Sequence, residues 1–163
     1  LSCSSAASDV YKRQIVTYSI FIQQIFIMST NARIALKLSD KTFVSVYHHW
    51  DGYPEWLGVV LTEQYNKLES VIELLSGGDM SSCWSDNEYD SEKQEWVKVD
   101  PRPSYYSERG ETAPPRIAHS ITEFLDHCDQ CGGEFGYVYD KGEWFAYETT
   151  DRTLVDIPEE IEE

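Results

Sequence analysis

The sequence predicts a single α+β domain: a four-stranded, mainly antiparallel sheet in the order β-β-α-α-loop-α-β-β, with its helices packed on one face. Three observations carry that expectation. Apolar residues alternate with period two at both ends of the domain, they recur every three or four residues between those ends, and turn residues separate the blocks. With 163 residues there is room for one domain of ordinary size, and a 41% hydrophobic share with 13% aromatic residues suffices for a packed core.

Ile34, Leu36 and Leu38 alternate, as do Phe43 to Tyr47 after them, with Ser39-Asp40-Lys41 as the turn of a hairpin. Asp51-Gly52-Tyr53-Pro54 is punctuated, and Pro54 suits a first helical position, where its missing N–H costs nothing. Trp56, Leu57, Val60, Leu61 and Tyr65 then form one stripe on a helix from about Pro54 to Tyr65. Asn66, with Glu69 three residues on, predicts a cap for the next helix, which Gly77-Gly78 ends. Asp79 to Pro115 reads as long loops with one short strand around Trp96 to Val99. Ser120-Ile121-Thr122-Glu123 is a capping box for a short helix ending near Gln130. Asp140-Lys141-Gly142 then joins two strands, Glu134 to Tyr139 and Glu143 to Thr149.

Residues 1–27 differ from the rest. The string from Ser4 to Gln14 resembles a tract that recurs at the ends of proteins translated from assembled environmental DNA, where it is a read-through artefact; Met28 then reads as the natural start. The alternative is a secretory type of leader, with Lys12 and Arg13 ahead of an apolar run that Gln23 and Gln24 interrupt. On this reading residues 28–157 are the domain and residues 158–163 an acidic, frayed tail.

The formal net charge of -16 repels phosphate backbone and anionic lipid alike, so direct nucleic-acid or membrane binding is disfavoured; the charge fits a basic protein partner, or nothing beyond solubility. Past residue 27 the cysteines are Cys83, Cys128 and Cys131, an odd set that fits a reducing cytoplasm better than a disulfide framework. No nucleotide-binding glycine loop, nucleophile elbow or zinc-protease helix occurs, and no cofactor is expected.

The densest polar and aromatic cluster runs from His48 to Glu55. Its candidate binding residues are His49, Trp50, Asp51, Tyr53 and Glu55, with Arg109 a further candidate from outside it. On a strand end His48 and His49 point to opposite faces, so one of them could pair with Asp51 as an imidazole–carboxylate couple. Cys128 and Cys131 have the spacing of a zinc knuckle, which Cys83 with His127 or His119 could complete only if the long loop folds back. Asp86, Glu88, Asp90 and Glu92 alternate like calcium ligands, yet Ser91 and Val97 stand where an EF-hand needs Gly and Glu. Arg102, Arg109 and Arg116 stand out because basic groups are few.

The motif His49-Trp50-Asp51-Gly52-Tyr53-Pro54, the later Gly77 to Ser82, Tyr106 to Glu111 and the final aromatic hairpin together resemble a family of uncharacterised small proteins of phages and bacterial mobile elements. The likeness covers most of Ile34 to Tyr147. It implies a phage accessory protein resident in the host cytoplasm and names no reaction. The expected function is therefore non-enzymatic binding of a host or phage protein through an acidic, aromatic surface. A small enzyme built on His49, Asp51 and Arg109 and a zinc-stabilised structural domain are the alternatives.

Overall fold

The computed structural model describes residues 30–161, so the readings made on residues 1–27 and on the last two residues lie outside it. Eight strands form one mixed sheet: β1 (Asn31–Lys37), β2 (Phe43–His48), β3 (Met80–Asp90), β4 (Glu95–Tyr105), β5 (Arg116–Ala118), β6 (Gly133–Asp140), β7 (Glu143–Glu148) and β8 (Thr153–Val155). Their order across the sheet is β4-β3-β2-β1-β6-β7-β8, and β5 pairs with the start of β2. A π-helical turn at Pro54–Gly58 runs into helix α1 (Val59–Gln64), followed by α2 (Leu68–Ser76) and, much later, α3 (Ile121–Gln130). Among the described residues no helix is long and apolar enough to cross a membrane.

The expected four-stranded, mainly antiparallel sheet is thus corrected on three counts. The stretch from Asp79 to Pro115 is more than loop with a short strand around Trp96 to Val99: it supplies the two longest strands, β3 and β4, and β5 follows it directly. Two pairings are parallel, β1 with β6 along six register pairs and β2 with β3 at His48–Met80. Helices also cover both faces.

Strand alternation explains the last point. Ala32, Ile34 and Leu36 of β1 point to one face, where Leu57, Leu61, Val71 and Leu74 of the first helices meet Tyr137 and Tyr139 of β6. Ala35 points to the other face, and there Phe43, Ala118 and Val138 receive Phe124, Leu125 and Cys128 of α3. Gly136 permits that approach, since a Cβ on it would lie 2.9 Å from the Phe124 ring and 3.0 Å from Cys128 Sγ.

Local chemistry places the ends. Ser120 Oγ accepts from the Glu123 N–H at 3.1 Å, the predicted N-cap. Asn66 does not cap α2; Lys67 occupies the cap position, and Ser70 makes the side-chain bonds there. Lys141 and Gly142 both have positive φ, 53° and 94°, the primed turn that matches strand twist. The tail is anchored as far as Ile157, whose side chain packs on Gly58.

Candidate functional site

The end of β2 divides its two histidines as the strand period requires. His48 is fully buried among the first two helices, and its Nε2 accepts from the Cys83 N–H at 3.0 Å. Burial, helped by the nearby charge of His49, lowers its pKa from 6.5 to about 3, so the ring is neutral and its proton sits on Nδ1. His48 is a core residue.

His49 emerges on the opposite face and is held there by backbone. Its N–H donates to Met80 O at 3.2 Å and that of Trp50 to Ser81 O at 2.9 Å, so the chain stays zipped to the start of β3 past the last formal strand pair. His49 Nδ1 lies 2.7 Å from the Tyr47 hydroxyl, and the Trp50 ring stands edge-on to the imidazole at 4.4 Å. Beyond Tyr47 comes Tyr106, whose face carries the Arg109 guanidinium at 4.6 Å, within cation–π range. Arg109 also reaches Ser81 Oγ at 3.3 Å and Glu111 at 3.3 Å.

Of the expected residues, His49 touches Trp50 and is linked to Arg109 through Tyr47 and Tyr106, while among the described residues no hydrogen bond or ring contact of the Asp51, Tyr53 or Glu55 side chains joins them to this group. Asp51 takes φ 54° and turns the chain, after which the Gly52 N–H bonds Thr30 O at 2.7 Å and Gly52 O accepts from Tyr137. A Cβ on Gly52 would stand 2.7 Å from Thr30 O, so the motif is first of all a tight junction between strand and helix. The imidazole–carboxylate couple does not form, because His49 pairs with a phenol and His48 with a backbone N–H.

Burial and then the Arg109 charge lower the pKa of His49, while burial first, with neighbouring Tyr106, Cys131 and Asp79, raises that of Tyr47 to about 12. Near neutral pH both partners are uncharged. The surface here is an aromatic patch with Trp50 44% exposed. Tyr47 and Tyr106 escaped the sequence reading as site residues, although Tyr47 lies two residues before His49 and therefore on its face.

The cysteines are split by the sheet. Cys83 belongs to the core under α1 and α2, Cys128 to the core under α3, and among the described cysteines only Cys131 is partly exposed. Among the described residues no group of three His, Cys, Asp or Glu side chains is placed to hold a metal ion. Burial pushes the Cys83 thiol well up and that of Cys128 to about 12, so neither is a ready thiolate.

A second surface is the β3–β4 hairpin. Among the described residues only its base joins the sheet, at Met80, and its outer half pairs with nothing but itself. There Tyr89 and Trp96 face each other in register, edge to face at 5.6 Å, and are 51% and 70% exposed. Around them stand Asp86, Glu88, Asp90, Glu92, Glu95 and Asp100 against Lys93, Lys98 and Arg102. Of the alternating carboxylates read from sequence, Asp86, Glu88 and Asp90 thus lie on β3 and Glu92 in the turn after it, and Lys98 binds Asp86 and Arg102 binds Glu88. By contrast, two grooves of about 520 and 570 Å³ flank the β1–β2 turn and include none of His49, Trp50, Asp51, Tyr53, Glu55 or Arg109.

Compared with protein-family models, with curated proteins and with solved structures, the chain gives no match.

Proposed function

We propose that this domain is a non-enzymatic binding protein, of the phage accessory kind that its His-Trp-Asp-Gly-Tyr-Pro motif implies, and that it engages a basic protein through the β3–β4 arm. The observation that carries the reading is the Tyr89–Trp96 pair, left in solvent on a two-stranded ribbon with a surplus of carboxylates. A two-stranded ribbon is marginal by itself, and large aromatics on it cost solubility unless something covers them. Aromatic anchors ringed by one sign of charge suit a partner of the opposite sign: the rings supply affinity and the charge steers encounter.

The test is capture from bacterial lysate on the immobilised full chain and on the double variant Tyr89→Ala/Trp96→Ala, at low and at high salt. A basic protein retained at low salt by the wild type, weakened by salt and lost from the variant, is the expected result. Equal retention by both chains, or no specific retention, removes the reading.

A further inference from the structure

Arg33 is the one charged side chain that the described fold buries as such, 1% exposed on the α3 face of β1. Register sets its neighbours: Tyr47 lies opposite on β2, and Gly136 lies beside it on β6. Its guanidinium turns toward β2, where Nε donates to Ser45 Oγ at 3.1 Å and Nη2 to the Ser45 carbonyl at 3.0 Å. Both acceptors are neutral. Ser45 is in turn the register partner of Arg116 on β5, so a second guanidinium rises from the same face at the exposed rim.

The contrast with the other described arginines is informative. Arg102 holds Glu88 and Glu108, Arg109 holds Glu111, and Arg152 holds Asp126. Neither Arg33 nor Arg116 joins any ion pair among the described residues, in a chain with 29 acidic residues against 13 basic ones. A guanidinium in acidic surroundings readily finds a carboxylate, and a buried one left without a counter-charge is costly.

The polar groups near them are also short of partners. His127 of α3 is close enough that, after burial, the charges of Arg33 and Arg116 lower its pKa, with Glu123 and Asp126 opposing. Its Nδ1 is buried without a hydrogen bond, as is Asn31 Oδ1 at the start of the same strand as Arg33. The two acidic neighbours are engaged elsewhere: Asp126 by Arg152 at 2.6 Å, and Glu123 by the His119 N–H at 2.7 Å.

We infer that Arg33, Arg116 and His127 form a binding site for a small oxyanion, the phosphate or carboxylate group of a small molecule, with Arg33 at its floor and Arg116 at its mouth. Planar guanidinium forks match both oxyanions, and charge-assisted bonds to them are the strong ones. The site lies on the sheet face, away from the outer half of the β3–β4 arm, and stands or falls independently of it.

Inorganic phosphate and, separately, acetate are titrated into the full chain, with sodium chloride at matched ionic strength as the blank, reading heat of binding and thermal midpoint. Saturable binding of either ion above the blank, with affinity reduced about tenfold or more in Arg116→Gln and unchanged in Arg102→Gln, is the expected result. The ion bound more tightly tells a phosphate site from a carboxylate site. Arg33→Met removes binding altogether if it folds; Arg116→Gln and His127→Gln, at more exposed positions, decide the matter if it does not. No response beyond chloride, or equal affinity in wild type and Arg116→Gln, overturns the inference and leaves Arg33 as a clamp between β1 and β2.

Discussion

The neutral imidazole of His48 makes acid sensitivity a quantitative property of this fold. In the unfolded chain that ring takes up a proton as pH falls through its ordinary 6.5, whereas the folded ring resists until about pH 3. Between those values the unfolded state binds more protons, so stability rises with pH and is lost as pH falls through the window. Each pH unit well inside it is worth about 1.4 kcal/mol, and the whole window on the order of 5 kcal/mol. Other groups titrate there too, and a variant isolates this one. His48→Gln keeps an oxygen acceptor for the Cys83 N–H and has no titration of its own. Urea unfolding followed by the fluorescence of the 5 tryptophans gives stability at a series of pH values for both proteins. From about pH 6 to pH 4 the wild type is expected to lose about 2–3 kcal/mol more than His48→Gln. Parallel pH profiles would refute the assignment of a neutral, buried His48.

Other perturbations test the packing. Gly78→Ala places a Cβ 2.3 Å from the Ala113 carbonyl at a residue with φ 81°, and is expected to lower stability by about 2 kcal/mol or more in the urea midpoint. Phe124→Ala empties the centre of the second core, where the ring stacks on Phe43 at 5.9 Å; a loss of about 3–5 kcal/mol is expected, and a loss below about 1 kcal/mol would mean that α3 does not seal that face. With Cys3 replaced by Ser, native protein is expected to react quickly with iodoacetamide at Cys131 alone, while Cys83 and Cys128 react on unfolding. Peptide mapping of the labelled protein reads this directly.

What the sequence disclosed follows the range of the interactions involved. The β1–β2 hairpin, the Ser120 cap, the helix entered through Pro54 and the β6–β7 turn are decided by residues a few positions apart, and their patterns are visible. Apart from a short strand around Trp96 to Val99, the β3–β4 arm reads as loop because alternation marks a strand only when one of its faces is buried, and both faces of the outer arm meet water. β4 also carries Pro101 and Pro103, which it tolerates because it is the edge of the sheet. Parallel pairing of β1 with β6, and the choice of face for α3, depend on partners distant in the chain and leave no local period. Of the site, the opposite orientation of His48 and His49 was legible from alternation. The approach of Tyr106 and Arg109 was not, since it is the return of the β3–β4 arm that brings them back to β2.

The parallel pairing at the middle of the sheet bears on how the protein is made. When β1 and β2 leave the ribosome, one edge of β1 needs β6, whose pairing starts with Asn31 opposite Gly133. At ordinary rates of synthesis the intervening stretch takes roughly 5–20 s to appear. For that interval the nascent chain presents Ala32, Ile34 and Leu36 on a strand with open hydrogen-bonding groups, a template for pairing with another chain. A pause or a truncation before Gly133 therefore leaves the hairpin bare, and aggregation of incomplete chains is the hazard this topology carries.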